Sequence, residues 1–362
     1  MTALNPPFRL GYRPALDGLR ALAVLAVIGL HIGVIPGGYI GVDVFFVLSG
    51  FLITSLLLTE HATTGSISLR DFYRRRALRL APALVAYLMV GSLATIAGGT
   101  TAQRHDLPLV ALSVATYWTN WGEALGAWNT SAVFQHCWSL AIEEQFYLVW
   151  PVVLVWLSAR RVDVRRLAIM LAGGALLVAG WRAVLSFGSS QDRVYFGTDT
   201  RLDPILIGCT IAALAHGGIL GRARRFGAAA VVVGGAVLAG VLAWGHADDD
   251  VMIRIGLSVV ALSAALIVVG LILCPDQPIA RILSTRPFVA VGRISYGLYL
   301  WHILAVRMFN GQEFTALTQL AVVALSFALA LGSYVIIERP FLAMKGRLRE
   351  TPISPEMAAS TS

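Results

Sequence analysis

An arginine and a histidine in the first apolar stretch are the earliest residues able to do chemistry. Arg20 and His31 have ten residues between them. On a helix they share a face to within about 20° and lie about 16 Å apart along the axis. An ionisable group in the hydrocarbon costs about 2.5 to 3.5 kcal/mol, which makes it a functional candidate. His31, which we expect near the midplane, could remove a proton from a hydroxyl, carry an acyl group or merely hydrogen-bond another helix.

Two further arginines suit the binding of phosphate. Arg76 and Arg79 are spaced i and i+3 at the predicted entrance of a span, so their guanidiniums share a face. A pair of guanidiniums can clamp a phosphate bidentately. An activated acyl donor that carries phosphates, such as acyl-coenzyme A, fits this pair. We interpret Arg74 and Arg75 as cytoplasmic anchors.

Adjacent carboxylates occur close to the outer end of another span. Glu143 and Glu144 point about 100° apart on a helix, whereas Ser139, Glu143 and Tyr147 share one face. We predict that one carboxylate pairs with an arginine and that Glu143 is the one facing the site.

Charges also alternate at a predicted outer mouth. Asp199, Arg201 and Asp203 could bind a polar acceptor or form an ion-pair network, and the sequence favours neither. Asp43 and His302 are further polar residues inside predicted spans, where each could be structural.

The elements that position these residues are membrane helices. Of the 362 residues 57% are hydrophobic and 13% are charged, and the mean hydropathy is +0.74. Soluble domains have about 25% charged residues, so a soluble protein is excluded. Ten apolar segments approach the length of about 20 residues that a bilayer needs. They run from 20 to 35, 41 to 58, 80 to 98, 138 to 158, 167 to 187, 203 to 219, 227 to 244, 253 to 273, 288 to 308 and 315 to 337.

Basic residues set the predicted topology, because they concentrate in cytoplasmic loops. Clusters lie at 9–20, 70–79, 160–166, 222–225, 281–293 and 339–349. One round trip through the membrane fits between the second and third clusters. Segment 107–121 is therefore predicted to be a re-entrant or interfacial element on the outer side, and both termini are predicted to be cytoplasmic.

Other classes receive little support. The net charge of +8 is spread over loops instead of forming one basic stripe, so no nucleic-acid partner is expected. Cys137, Cys209 and Cys274 form no CxxC pair, and no metal site is predicted. Residues 1–35 resemble a signal peptide, but the many spans that follow favour a retained anchor.

Taken together, the motifs resemble the acyltransferase 3 family of membrane O-acyltransferases. The matching stretches are LDGLRALAV at 16–24 with His31, GVDVFFVLSGFLIT at 41–54, FYRRRALRLAP at 72–82, WSLAIEEQFYLVWP at 138–151, TDTRLD at 198–203, ISYGLYLWH at 294–302 and ERPF at 338–341. They occur in order over nearly the whole chain.

The resemblance implies a ten-helix domain, here residues 1–341, followed by a cytoplasmic tail at 342–362. It implies transfer of an acyl group, usually acetyl, from cytoplasmic acyl-coenzyme A to a hydroxyl of a carbohydrate, glycolipid or related metabolite. The family's arginine and histidine map onto Arg20 and His31, and its Arg-x-x-Arg pair maps onto Arg76 and Arg79. Some relatives carry an extracytoplasmic hydrolase-like domain, so a separate extracytoplasmic transferase partner is one expectation. We expect a multi-pass protein of the bacterial plasma membrane.

Two rival functions remain open. A transporter or flippase of a polar or lipid-linked substrate would also need buried charge, and a non-catalytic scaffold would need no chemistry. Within the enzyme hypothesis, His31 acts with Arg20 and Glu143, either as a general base or as a transient acyl carrier.

Overall fold

The described part of the chain is entirely helical. The computed structural model describes residues 11–246, 249–309 and 315–347, and it has no strand within these ranges. The predicted all-α class is confirmed. Residues 348–362, most of the predicted tail, lie outside the described residues.

Eighteen α-helices are described. They are α1 (Pro14–His31), α2 (Gly41–Thr64), α3 (Leu69–Gly98), α4 (Thr101–Ala115), α5 (Thr119–Leu125), α6 (Ala132–Gln135), α7 (Cys137–Ala159), α8 (Val164–Leu185), α9 (Gln191–Phe196), α10 (Thr198–Arg201), α11 (Asp203–His216), α12 (Gly227–Trp244), α13 (Leu257–Leu273), α14 (Pro278–Leu283), α15 (Arg286–Arg293), α16 (Ser295–Met308), α17 (Ala316–Ser333) and α18 (Arg339–Arg347). Short 3-10 segments cover Pro36–Ile40 and Leu220–Phe226, and π-helical segments cover Met252–Gly256 and Tyr334–Glu338.

Eight of the described helices, some joined to a short neighbouring segment, are long and apolar enough to cross a bilayer. Helices α15 and α16 would make a ninth span, bent by 70° at the residue between them. Helix α11 is apolar but only 14 residues long. Helix α4, which covers much of segment 107–121, does not qualify as a span.

Helix α3 begins well before the apolar segment predicted at 80–98. Its cap is Ser68, whose hydroxyl accepts a hydrogen bond from the Asp71 backbone N–H at 3.3 Å. Capping by serine satisfies a backbone donor that the first helical turn leaves free. At 1.5 Å per residue, Arg76 and Arg79 therefore lie about 10 and 15 Å from the start of α3.

Helices α2 and α11 cross at very short range. The α-carbon of Gly50 faces the carbonyl of Ile205, and Gly208 faces the carbonyl of Val47. A β-carbon at either glycine would collide with backbone, so only glycine permits this approach. Small residues at crossings are typical of membrane helices. The crossing fixes the position of α2, which carries Asp43 and Ser49, against α11.

Candidate functional site

Three neighbouring cavities run through the helices. The arginine chamber (about 100 Å³) is lined by Arg20, Arg76 and Arg79, and the histidine chamber (about 260 Å³) is lined by His31 and His136. A middle chamber of about 50 Å³ lies between them. It shares five wall residues with the arginine chamber, namely Arg20, Phe45, Leu140, Glu143 and Tyr296, and two with the histidine chamber, Val42 and Tyr299.

The arginine chamber has an excess of positive charge. Three guanidiniums line it together with two carboxylates, Glu143 and Glu144. Arg76 forms an ion pair with Glu144 at 3.0 Å, and its guanidinium lies 3.4 Å from the centre of the Tyr147 ring. Arg20 donates to the Ser295 hydroxyl at 3.3 Å. Neither Arg20 nor Arg79 has a carboxylate within ion-pair distance among the described residues, so both guanidiniums can bind an anion.

The two glutamates have different environments. Glu144 forms the ion pair with Arg76, whereas Glu143 accepts a hydrogen bond from the Ser49 hydroxyl at 2.6 Å. Glu143 lines the arginine and middle chambers but not the histidine chamber. The expected position of Glu143, beyond His31 toward the outer surface, is therefore corrected. It lies on the arginine side because this part of α7 meets α3, where Arg76 pairs with the adjacent Glu144.

The middle chamber is a narrow, aromatic passage. The Phe45 and Tyr299 rings lie 6.3 Å apart, centre to centre, and both line it. The Tyr299 hydroxyl lies 2.6 Å from the Ser139 hydroxyl and donates to the carbonyl of His136 at 2.9 Å. These bonds hold Tyr299 at the boundary with the histidine chamber.

His31 is held in one orientation at the last residue of α1. Its Nδ1 lies 2.8 Å from the carbonyl oxygen of Val27. Because a carbonyl can only accept, Nδ1 carries the proton, and Nε2 is the ring nitrogen with a free lone pair. Nε2 has no hydrogen-bond partner among the described residues, and the ring lines the histidine chamber. This tautomer is the one required of a base or nucleophile at Nε2.

A second histidine, which the sequence could not assign, supports the first. His302 is fully buried on α16, and its Nδ1 lies 2.7 Å from the carbonyl of Tyr299. By the same argument Nδ1 is the donor, which leaves Nε2 as an acceptor. That Nε2 lies 3.3 Å from the protonated Nδ1 of His31. His302 thus lies on the side of His31 opposite its free nitrogen.

All three residues of the predicted acceptor mouth form ion pairs. Asp199 pairs with Arg193 at 2.7 Å, Arg201 with Asp43 at 3.2 Å and Asp203 with Arg182 at 2.5 Å. Arg201 and Asp203 are fully buried, and none of the three predicted residues lines a chamber. The geometry favours the ion-pair alternative, with the buried pairs joining α2 to α10 and α8 to α11.

The fold and these chambers define a multi-span helical membrane protein in which a cationic cavity and a histidine-lined cavity both adjoin a third. The chain belongs to the acyltransferase domain family, whose profile matches residues 13–338. The resemblance that the motifs indicated is confirmed, and the family is one of acyltransferase enzymes.

Curated relatives give the same family. The chain is similar to O-acetyltransferase OatA of Staphylococcus aureus strains NCTC 8325 / PS 47 and COL, at 33% identity over 348 residues in each case. The match covers 91% of this chain and 57% of each relative, so the chain spans little more than half their length. No solved structure matches the chain.

Proposed function

We propose that this protein is a membrane O-acyltransferase that moves an acetyl group from acetyl-coenzyme A to a hydroxyl of a carbohydrate, glycolipid or related metabolite. The observation that carries the proposal is the order of the chambers. A cavity suited to phosphates adjoins a narrow passage, and the passage adjoins a cavity lined by a histidine with a free nitrogen. The O-acetyltransferase relatives support the acetyl group.

The proposed topology has about ten spans, both termini in the cytoplasm, and segment 107–121 on the outer side. The eight long spans, the bent pair α15 and α16, and the short apolar helix α11 together make ten, which supports this number. The proposed transmembrane domain covers 1–341, with a cytoplasmic tail at 342–362, in the bacterial plasma membrane. The arginine chamber then opens toward the cytoplasm, because the basic cluster at 70–79 forms the first turns of α3 and marks its cytoplasmic end.

The donor binds in the arginine chamber. Arg79 and Arg20 have no carboxylate partner in the described structure, and guanidiniums bind phosphate bidentately through charge-assisted hydrogen bonds. Arg76 is already paired with Glu144, so its first role is to shape the chamber. The thioester end enters the middle chamber, whose small volume suits an acetyl group better than a long acyl chain.

The transfer occurs at His31. As base, Nε2 takes the proton of the acceptor hydroxyl while its oxygen attacks the thioester carbonyl; the C–S bond breaks, and the coenzyme A thiolate leaves and is later protonated. As carrier, Nε2 attacks the carbonyl first, the C–S bond breaks and the coenzyme A thiolate leaves; the acceptor oxygen then attacks the acyl-imidazolium, the N–C bond breaks, and the hydroxyl proton passes through solvent to the thiolate. Both routes need the Nδ1–H tautomer, and both remain open. Arg20 orients the donor, and Glu143 organises the boundary of the arginine chamber.

Turnover of labelled donor tests the proposal. Purified protein in lipid nanodiscs receives acetyl-coenzyme A with a radiolabelled acetyl group, with and without a membrane extract that supplies acceptors. We expect release of free coenzyme A and transfer of label to the extract, both lost in His31→Ala. Absence of thioester turnover from a folded protein would favour a transporter, flippase or scaffold instead.

A further inference from the structure

One arginine on the outer side of α16 faces a cavity instead of a carboxylate. Six arginines lie outside the basic clusters that set the topology: Arg104, Arg182, Arg193, Arg201, Arg254 and Arg307. Four of them form ion pairs: Arg182 with Asp203, Arg193 with Asp199, Arg201 with Asp43, and Arg254 with Asp250. Arg104 is exposed on α4. Arg307 is half-buried, lines the histidine chamber and has no carboxylate partner among the described residues.

The position of Arg307 relates it to the reacting histidine. It follows His302 by five residues on α16, about 7.5 Å along the helix axis. His302 contacts His31, and Ile303 and Arg307, spaced i and i+4, both line the chamber. A group bound by Arg307 therefore lies in the cavity that His31 also lines.

The other walls of the chamber suit a sugar ring. Aromatic side chains line it, namely Tyr39, Trp138, Tyr195, Phe196 and Tyr299, and Gln135 and His136 supply polar atoms. Aromatic faces pack against apolar faces of a ligand while a few polar groups fix its orientation. A volume of about 260 Å³ is near the lower limit of ligand pockets, which favours one ring over an extended chain.

We infer that the histidine chamber takes an acceptor that carries an anionic group, a carboxylate or a phosphate, and that Arg307 binds this group while His31 faces the reacting hydroxyl. The inference rests on the proposed acyltransferase function and adds the chemical class of its acceptor. A guanidinium forms charge-assisted, often bidentate hydrogen bonds with either anion. In the proposed topology Arg307 lies at the outer end of α16, where the positive-inside bias does not account for it.

Matched pairs of acceptors test the inference. Purified protein in nanodiscs receives labelled acetyl-coenzyme A with glucose, glucuronic acid or glucose 6-phosphate, and with N-acetylglucosamine or N-acetylmuramic acid. The measured quantity is the ratio of kcat/KM for each anionic acceptor to that for its neutral counterpart. The carboxylate and phosphate members distinguish the two sources of negative charge.

We expect the wild-type protein to prefer an anionic member, and Arg307→Gln to reduce that ratio about 10- to 100-fold, as the loss of a charge-assisted hydrogen bond requires. Arg307→Lys should retain part of the preference, and Arg104→Gln, the matched control on an exposed outer arginine, should retain all of it. Thioester turnover with no preference for an anionic member, or a preference that Arg307→Gln leaves intact, would overturn the inference alone. Absence of thioester turnover in the wild-type protein would instead contradict the proposed acyltransferase function on which the inference rests.

Discussion

Removing the second histidine should slow the reaction without weakening the donor's binding. His302→Leu deletes the Nε2 acceptor that lies 3.3 Å from Nδ1 of His31 and replaces it with an apolar side chain. The 2.8 Å bond from His31 to the Val27 carbonyl stays, so the tautomer is preserved. We expect the imidazole ring of His31 to be held less firmly in its orientation. We therefore treat His302 as a positioning residue.

The magnitude follows from the geometry of that contact. A hydrogen bond between neutral groups contributes about 0.5 to 1.5 kcal/mol. Each 1.36 kcal/mol of activation free energy changes the rate tenfold, so loss of this hydrogen bond corresponds to a rate change of about 2- to 13-fold. Since 3.3 Å is longer than the usual 2.9 to 3.0 Å, we expect the lower part of this range, about threefold. Loss of the proton-transfer group itself, in His31→Ala, should cost about 10²- to 10⁴-fold.

Two amide variants separate positioning from packing. In His302→Gln the side-chain oxygen can reach the position of Nε2 and accept from His31. In His302→Asn the amide can keep the bond to the Tyr299 carbonyl, but it does not reach His31. We expect kcat to recover in the glutamine variant and not in the asparagine variant, with KM for acetyl-coenzyme A unchanged in both.

The kinetic pattern can refute this reasoning. Equal losses in the glutamine and asparagine variants would mean that His302 only fills space between α1 and α16. A rise in KM for the donor at constant kcat would place His302 in the donor's path instead.

Two further predictions concern the arginines. Arg79→Ala should raise KM for acetyl-coenzyme A about tenfold or more, because it removes a guanidinium that is free to bind phosphate. Arg75→Ala is the control and should leave KM unchanged, because Arg75 pairs with Glu60 outside the chamber. An unchanged KM in Arg79→Ala, measured by steady-state kinetics, would contradict the donor site. Arg201→Met should destabilise the fold by about 3 to 5 kcal/mol, since it leaves the buried Asp43 without its partner. Adding Asp43→Leu to this variant should restore part of the lost stability. If unfolding in mixed micelles showed all variants within about 1 kcal/mol of the wild type, the pair would not be a stabilising one.

The helical class and most spans were predictable because hydrophobicity and length alone decide them in a bilayer. The start of α3 was not. The run of arginines at 74–79 has the composition of a cytoplasmic loop, yet capping at Ser68 makes it the first turns of the helix. The longer helix places both Arg76 and Arg79 on α3 itself, and Arg76 meets Glu144 of α7 there.

Contacts between helices that are distant in the chain could not be predicted from the sequence, for a different reason. Helical periodicity indicates which face a residue occupies but not which helix that face meets. Asp43 and Arg201, and likewise His31 and His302, meet only through the packing of separate helices. The alternating charges at 199–203 therefore looked like one surface site, although two of them are buried against other helices.

Sidedness of turnover in proteoliposomes tests the central claim, a path from a cytoplasmic donor chamber through His31 to an outer acceptor. Protein is reconstituted, its orientation is determined by protease access, and labelled acetyl-coenzyme A is added to one face at a time. We expect free coenzyme A to appear only when donor is supplied at the face bearing residues 70–79, and we expect His31→Ala to abolish this release. Equal turnover from both faces, or turnover that survives in a folded His31→Ala protein, would contradict it.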